Sequence, residues 1–375
     1  MCSTPHAAPD CRGSRSRRRP RAPRRADARC SVRRALEGCF RRIWWAPRPG
    51  LAARVLTPLA ALYGVLQRRD ARRAAGPAAL PVPVLVVGNL VVGGAGKTPT
   101  VIAVVAALVR RGHRPGVVSR GHGRAGSAPR AVSWGSDPGD VGDEPLLLAR
   151  RCSVPVFVGR DRVAAARALR QAHPDVDVIV ADDGLQHHAL PRQAELVVFD
   201  ERGIGNGRLL PAGPLREPMP ARWPGSRHVL YTAGAPSTTL DGACARRRLG
   251  LAWPLAAWHA GDAAAAVPLS TLQGRPLLAA AGLAAPEKFF TMLREAGLHF
   301  EALPLPDHHD YATRPWPSLG PDVLVTEKDA VKLDPARVGA RPVWVLPLDL
   351  DVPEKLIDAL HADLFGPRPA NDWMP

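Results

Sequence analysis

Lys97 and Thr98 stand at the end of a glycine-rich segment, between an apolar run that stops at Gly88 and a second apolar run, Val101 to Val109. Glycines let backbone N–H groups turn inward around anionic oxygens, and a helix N-terminus adds the positive end of its dipole. A lysine at this place reaches the β- and γ-phosphates of a nucleotide, and a threonine hydroxyl binds Mg²⁺. The residues predicted to bind the nucleotide are Val91, Val92, Gly93, Gly94, Ala95, Gly96, Lys97 and Thr98.

The segment departs from the common phosphate-binding pattern G-x-x-x-x-G-K-[ST] at one position. Gly96, Lys97 and Thr98 match its last three residues, but its first glycine falls at Val91. The alternative is a glycine-rich turn that binds nothing. We disfavour it because a lysine buried under such a loop needs an anion as its partner.

Two aspartates, Asp182 and Asp183, follow the apolar run Val176 to Val180. An apolar strand that ends in carboxylates is typical of a Walker-B element, in which one carboxylate holds Mg²⁺ directly or through water. Acidic residues are also common in turns, so the pair gains its significance from Lys97 and Thr98 upstream. Thr98 and one of the two aspartates, Asp182 or Asp183, are therefore the first candidate ligands for the metal ion.

Three more segments carry ionisable residues in loops. Ser119–Arg124 follows a predicted strand and has arginines that can clamp phosphate, although a solvated basic loop is the alternative. Gly142–Pro145 places two carboxylates before a helix, where Asp143 can simply cap that helix. Leu305–Tyr311 can bring a histidine against a carboxylate.

Strand and helix candidates alternate from residue 81 to residue 225, which favours a mostly parallel sheet with helices on both faces. Ligands bind such sheets at the carboxyl ends of the strands. The predicted strands are Val82–Val87, Pro115–Val118, Val154–Val158, Val176–Val180 and Glu195–Phe199, and the predicted helices are Thr98–Arg111, Glu144–Cys152 and Arg162–Ala172. We expect an α/β protein with a P-loop NTPase-like domain over 81–225 and a smaller C-terminal α/β domain over 226–375.

The N-terminal 80 residues divide into two predicted segments. Residues 1–30 hold nine Arg and two Asp with almost no apolar residues, so we expect a disordered basic tail. Residues 31–80 contain a largely apolar stretch, Leu51 to Leu66, which is shorter than the roughly 20 residues of a spanning helix. Flanking arginines, tryptophans and a tyrosine suit a helix lying on an anionic membrane surface. A surface helix packed on the protein's own core is an equally good interpretation.

The charge distribution and the cysteine spacing argue against a nucleic-acid-binding protein and against a disulfide-stabilised one. The chain of 375 residues has a net charge of +17, but much of the excess lies in the tail and aromatic residues make up only 5%, so we expect no nucleic-acid partner. None of the six cysteines forms a C-x-x-C pair, which indicates reduced thiols in the cytosol. The sequence gives no reason to infer an obligate protein partner.

Eight motifs in order make the sequence resemble the tetraacyldisaccharide 4'-kinase family, from about Ile43 to the C-terminus. The motifs are VVGNLVVGGAGKTP, VVSRGHGR, GDEPLLLA, GRDR, VIVADDGLQHH, LLPAGPLREP, LPDHHDY and TEKDAVKL. Each is weak alone, but together they are specific. The family departs from the standard P-loop at the same first glycine, so Val91 is no objection.

The resemblance implies a reaction and roles for residues. ATP would phosphorylate the 4'-hydroxyl of an acylated glucosamine disaccharide 1-phosphate, giving lipid IVA at the cytoplasmic face of the bacterial inner membrane. Asp143 matches the family's catalytic aspartate, and His308 matches the histidine that pairs with it. Glu144 joins Thr98 and Asp182 as a candidate Mg²⁺ ligand.

The main alternative is a soluble P-loop ATPase that acts on a protein or metal-delivery partner. A GTPase is disfavoured because Glu327 separates Thr326 from Lys328, which spoils the guanine-binding N-K-x-D pattern. Binding to membranes would discriminate the lipid kinase from the soluble ATPase.

Overall fold

The computed structural model describes residues 38–73, 79–124, 126–220, 223 and 225–367. The predicted disordered tail at 1–30 lies outside these residues. After a helical stretch at 38–44, the α-helices are α1 (Leu51–Val55), α2 (Thr57–Arg73), α3 (Lys97–Arg110), α4 (Pro138–Val141), α5 (Asp143–Cys152), α6 (Arg162–Ala172), α7 (Leu255–Ala260), α8 (Pro286–Glu295), α9 (Glu327–Ala330) and α10 (Glu354–Phe365). Short 3₁₀ turns occupy Ala263–Ala265 and Leu269–Leu272.

The strands form three sheets. They are β1 (Val84–Gly88), β2 (Pro115–Ser119), β3 (Arg130–Val132), β4 (Val156–Val158), β5 (Val178–Asp182), β6 (Ala194–Phe199), β7 (Arg227–Tyr231), β8 (Ala243–Cys244), β9 (Arg246–Leu249), β10 (Trp253–Pro254), β11 (Leu277–Ala281), β12 (Glu301–Pro304), β13 (Asp322–Thr326), β14 (Val343–Leu346) and β15 (Leu348–Asp351). The first sheet has the order β3-β4-β2-β5-β1-β6-β7-β8, the second β10-β14-β13-β11-β12, and β15 pairs with β9.

The first sheet is parallel except at β3, which runs antiparallel to β4. Successive side chains of β1 enter two different apolar cores, because a strand alternates its faces. Leu85 packs in the core that contains Val104 of α3, whereas Val86 packs in the core that contains Leu169 of α6. Helices therefore cover both faces, and the predicted α/β class is confirmed.

The predicted domain boundary at 225/226 does not follow the sheets. β7 and β8 lie after it, yet they extend the first sheet beyond β6. The C-terminal helix α10 also returns to the first sheet, where it contacts α3 and β6. The first sheet therefore extends to Cys244, past the proline-rich segment near residue 220, because β7 pairs with β6 and β8 pairs with β7.

Helices α1 and α2 lie within the predicted membrane-associating segment and pack on the protein through small residues. Ala53, Ala60 and Gly64 are their buried positions. Their large apolar side chains face outward, and Leu51, Val55, Leu59, Leu62, Val65 and Leu66 are each more than half exposed. None of the helices in the described part of the chain is both long and apolar enough to cross a bilayer.

Candidate active site

The glycine-rich loop connects β1 to α3, and Gly96 caps the helix in a left-handed conformation with φ +88°. A side chain at Gly96 would meet Thr232, since an added Cβ would lie 3.0 Å from the Thr232 Cγ2. Only glycine satisfies both the backbone angle and the space. The loop therefore delivers Lys97 and Thr98 into the first turn of α3, at the carboxyl end of β1.

Lys97 points back under the loop and is mostly buried. Its Nζ donates a hydrogen bond to the Asn89 Oδ1 at 3.1 Å and lies 3.6 Å from the Asp183 Oδ1. The ammonium group is therefore held by one carbonyl and one carboxylate. Asn89 was missed by sequence reasoning, although it directly follows the last residue of β1.

Asp182 is the last residue of β5 and faces Val87 across the strand pair. It is 1% exposed, and its Oδ2 accepts a hydrogen bond from the Ser119 hydroxyl at 3.1 Å, while its Oδ1 is buried with no partner among the described residues. Burial, followed by the nearby Glu144 and Asp183 carboxylates, raises the pKa of Asp182 to about 7. A cation beside the free oxygen would favour the ionised form.

The Asp183 carboxylate lies beside two cations, Arg216 and Lys97. The Arg216 Nη1 donates to its two carboxylate oxygens at 3.0 and 3.2 Å, and Lys97 is nearby. Burial raises the pKa of Asp183, but the charges of Lys97 and Arg216 outweigh it and leave the pKa below the ordinary value. Its φ of +51° is costly for a residue other than glycine, which is typical of functional sites.

Asp143 and Glu144 open helix α5, directly after Gly142. Gly142 has φ +94°, and an added Cβ would lie 3.1 Å from the His122 carbonyl oxygen. This close approach packs the loop after β2 against the start of α5. The alternative that Asp143 caps the helix is wrong, because Gly142 occupies the cap position and Asp143 is the first helical residue.

Asp143 contacts two residues of the C-terminal region. The His308 Nδ1 lies 3.3 Å from the Asp143 Oδ2, and the Lys332 Nζ lies 3.6 Å from the same oxygen. Burial raises the pKa of Asp143, but the hydrogen bond with His308 and the charge of Lys332 bring it below its usual value. The hydrogen bond with Asp143 raises the pKa of His308. His308 itself has φ +55°, a second strained backbone at this site.

Glu144 forms an ion pair with Lys328, which mainly through its charge lowers the pKa of Glu144 to about 2. Lys328 and Lys332 are four residues apart, at and just beyond the turn of α9, and they meet the adjacent carboxylates Glu144 and Asp143. Sequence reasoning noticed the TEKDAVKL motif but missed these two roles. The spacing of four, which brings side chains to one face of a helical turn, was the available signal.

The site thus brings together most of the residues predicted from the sequence. The charges of Glu144 and Lys97 act on the pKa of Asp182, and the charge of Lys97 also acts on the pKa of Glu144. His308 acts on the pKa of Glu144 as well as on that of Asp143. Thr98 is buried in the first turn of α3. Within the described residues, no three His, Cys, Asp or Glu side chains form a metal-binding group by themselves. A Mg²⁺ ion would accordingly need hydroxyl, water or phosphate oxygens, which is its usual preference.

The family model for tetraacyldisaccharide-1-P 4'-kinase matches residues 52–364. A tetraacyldisaccharide 4'-kinase of Leptothrix cholodnii is 55% identical over 332 residues, which cover 87% of this chain and 93% of that protein. The enzyme of the same name from Methylibium petroleiphilum is 52% identical over 361 residues, which cover 93% of this chain and 98% of that protein.

Among solved structures, LpxK from Aquifex aeolicus in complex with ATP superposes with a TM-score of 0.69 at 26% identity. The match covers 84% of this chain and 99% of the Aquifex chain. Family model, sequence relatives and fold agree. This chain belongs to the tetraacyldisaccharide-1-P 4'-kinase family.

Proposed function

We propose that this chain transfers the γ-phosphoryl group of ATP to the 4'-hydroxyl of a tetraacyldisaccharide 1-phosphate, forming lipid IVA in lipid A biosynthesis. The observation that carries the proposal is the pairing of Asp143 with His308 at 3.3 Å, next to the Glu144, Asp182 and Lys97 cluster. A nucleotide loop alone would suit any ATPase. A carboxylate–imidazole pair beside that loop also suits removal of a proton from an acceptor hydroxyl.

The nucleotide would lie along the glycine-rich loop, with its β- and γ-phosphates at Lys97. The positive end of the α3 dipole and the free N–H groups of its first turn favour the phosphates. Lys97 would exchange its bonds to Asn89 and Asp183 for phosphate oxygens. The Aquifex relative, solved in complex with ATP, supports ATP as the nucleotide.

The residues around Asp182 fit a Mg²⁺ ion. The buried Oδ1 of Asp182 has no partner among the described residues, and Thr98 supplies a hydroxyl in the adjacent helix turn. Glu144 is the third candidate, although Lys328 holds one of its oxygens. When bound, the ion would neutralise charge that develops on the transferred phosphoryl group.

Proton transfer would start at the acceptor hydroxyl. The hydroxyl oxygen forms a bond to the γ-phosphorus as the bond to the β–γ bridging oxygen breaks, and ADP leaves. Asp143 accepts the hydroxyl proton, and His308 receives it from Asp143. A free aspartate, with a pKa of about 3.9, is a weak base towards an alcohol, so the histidine keeps the proton from returning.

The exposed apolar face of α1 and α2 would contact the membrane in which the lipid acceptor lies. Leu51, Val55, Leu59, Leu62 and Leu66 follow spacings of three and four residues and so share one side of the helical segment. Their inward contacts are made by Ala53, Ala60, Gly64 and Tyr63, so α1 and α2 pack on the protein and still present this apolar face to the outside. We accordingly place the protein at the cytoplasmic face of the inner membrane.

The test is a kinase assay with γ-labelled ATP, Mg²⁺, detergent and a tetraacyldisaccharide 1-phosphate acceptor. The wild type should label the lipid. Lys97→Ala should lose both labelling and ATP affinity, because phosphate loses its cation. Asp143→Ala should lose about 10²–10⁴-fold in turnover, the range typical of general-base catalysis, while ATP affinity stays near the wild-type value.

Two outcomes would contradict the proposal in different ways. ATP hydrolysis without lipid labelling would overturn the acceptor and favour the soluble P-loop ATPase. Loss of ATP affinity in Asp143→Ala, together with loss of turnover, would make Asp143 a metal ligand or a structural residue instead of a base.

A further inference from the structure

Side chains outside the loop tie down two successive carbonyl groups of the glycine-rich segment. The Arg202 Nη2 donates a hydrogen bond to the Gly94 carbonyl oxygen at 2.8 Å. The Thr232 hydroxyl donates to the Ala95 carbonyl oxygen at 2.9 Å. Because C=O and N–H of one planar trans peptide point in opposite directions, these bonds turn the N–H groups of Ala95 and Gly96 away from Arg202 and Thr232.

Arg202 is itself fixed in place on two sides. Its guanidinium and backbone N–H both donate to Asp200, with the closest side-chain contact at 2.7 Å. The Arg202 Cζ also lies 4.4 Å from the centre of the Trp45 ring. Asp200 is 0% exposed, so this carboxylate needs its cations. Arg202 can bind Asp200 and the Gly94 carbonyl together because a guanidinium presents several donors in a fixed plane.

The same cluster reaches the C-terminal region. The Lys288 Nζ, on α8, lies 2.8 Å from the Asp200 Oδ2 and 2.6 Å from Glu201. The Arg247 Nη2, on β9, donates to the Thr232 hydroxyl at 2.9 Å. Both anchors of the loop carbonyls therefore rest on residues from beyond the first sheet.

From this arrangement we propose that Arg202 is a positioning residue for nucleotide binding: it holds the Gly94 peptide so that the glycine-rich loop is already shaped for phosphate before ATP arrives. The inference rests on the proposed function of the loop as the ATP site. Arg202 touches the loop backbone and not the reacting atoms, so its effect appears in ATP affinity rather than in the chemical step. A preformed loop avoids the ordering cost that a free glycine segment would meet on binding.

The test compares Arg202→Lys with Arg227→Lys in the full-length chain. Lysine keeps the charge beside Asp200, but a single ammonium group cannot reproduce the planar bridge to Gly94. Arg227 is a matched control, because it also pairs with a buried carboxylate, Glu195, and stacks on a tryptophan. Unlike Arg202, it lies at the start of β7. Titration calorimetry with ATP and Mg²⁺ gives the dissociation constant, and steady-state assays give KM and kcat.

Arg202→Lys should raise the Kd and KM for ATP about tenfold, the effect expected for one lost charge-assisted hydrogen bond, and should leave kcat and the KM for the disaccharide within about twofold. Arg227→Lys should leave ATP affinity unchanged. If Arg202→Lys has a lower melting temperature than the wild type, ATP binding is measured with Arg202→Gln instead, at a temperature where Arg202→Gln is folded. The same rise in the Kd for ATP is expected.

Equal ATP affinity in the wild type and both Arg202 variants would overturn the inference alone. So would a parallel fall of kcat, acceptor affinity and thermal stability, because that pattern marks a merely structural residue. Failure of the wild type to bind ATP would overturn the proposed function together with the inference.

Discussion

At the scale of single residues, the ionisation of Asp143 and His308 is set by their partners. Burial works against the Asp143 carboxylate, yet the hydrogen bond with His308 and the charge of Lys332 keep its pKa low. The same hydrogen bond raises the pKa of His308. In the pair, the aspartate stays ionised while the histidine changes its charge at higher pH.

This ordering predicts the acid limb of the pH–rate profile. Below its pKa His308 is already protonated and cannot receive the acceptor's proton, so kcat should fall as the pH falls through that pKa. Since the pKa is raised, the midpoint should lie above the value of about 6.5 for an ordinary histidine. Asp143, with its lowered pKa, stays ionised throughout this range. The measurement is kcat for lipid labelling against pH in the wild type and in His308→Gln.

In His308→Gln the limb should disappear and the residual rate should be lower. A limb that persists in this variant, or one that lies below the range of an ordinary histidine, would assign the titration to another group.

At the scale of elements, helices α1 and α2 reverse the usual arrangement of a surface helix. Alanine and glycine face the protein while leucine and valine face outward. Tyr63 links α2 to the site, because its hydroxyl donates to the Arg216 carbonyl oxygen at 2.9 Å. An exposed apolar face that is rimmed by arginines is typical of a surface that binds lipid.

Acidic substitutions on this face should weaken membrane binding. Leu62 and Leu66 are 56% and 51% exposed, and burying a leucine side chain in an apolar phase contributes about 1.5–3 kcal/mol. The double variant Leu62→Glu/Leu66→Glu should reduce co-sedimentation with anionic vesicles at least about tenfold. Its melting temperature should stay near that of the wild type because both side chains lie outside the core.

Leu319→Glu is the control, since Leu319 is 84% exposed but lies in a loop before β13. It should bind vesicles as the wild type does. Equal binding by the double variant and the wild type would exclude this face as the membrane contact.

At the scale of the whole molecule, charged contacts join the first sheet's helices to the C-terminal region beside the site. Arg151, in the last turn of α5, donates to Glu327 at 2.5 Å and to Asp349 at 2.6 Å. Glu327 is 5% exposed and is the first residue of α9. Lys332 lies just after the end of this short helix. The same short segment therefore carries both the buried ion pair and the lysines that meet Asp143 and Glu144.

Removing Arg151 should destabilise the protein and slow catalysis. Arg151→Met leaves the Glu327 carboxylate buried without its cation, which costs about 3 kcal/mol in comparable pairs. Glu327→Gln in the same chain should restore part of that loss because the buried charge is gone. Urea unfolding measures the stability, and the lipid-labelling assay measures kcat, which we expect to fall as α9 shifts.

Arg248→Met serves as the surface comparison. Arg248 pairs with Asp351 at 2.9 Å, but the two side chains are 61% and 48% exposed, so the loss should stay under about 1 kcal/mol. Similar losses in Arg151→Met and Arg248→Met would mean that the pair beside the site adds no more stability than a surface pair.

Much of the fold was predictable because its signals are local. The predicted helix Arg162–Ala172 coincides with α6. The predicted strand Val176–Val180 began two residues early, since Val176 closes a turn by donating to His173, and β5 runs on to Asp182 through its pairing with β1. The pairing of β7 and β8 with the first sheet, beyond the predicted boundary at 225/226, had no local signal because sheet membership depends on distant partners.

The sequence by itself determined the chemistry of the nucleotide loop. Gly96, Lys97 and Thr98 are consecutive, and Asp182 ends an apolar strand, so short-range spacing between strand and helix carries the information. Resemblance to a family was needed to connect Asp143 with His308, because no periodicity links residues 165 positions apart.

Only the tertiary structure decided which charges meet. Lys328 and Lys332, which follow β13 of the second sheet, meet Glu144 and Asp143 on α5, which precedes β4 of the first sheet. Arg202, just after the end of β6, donates to the Gly94 carbonyl oxygen. Such contacts depend on how separate elements pack, and a lysine in a loop has the same local sequence whether it meets solvent or a buried carboxylate. The ionisation of the site, and the shape of its loop, follow from that packing.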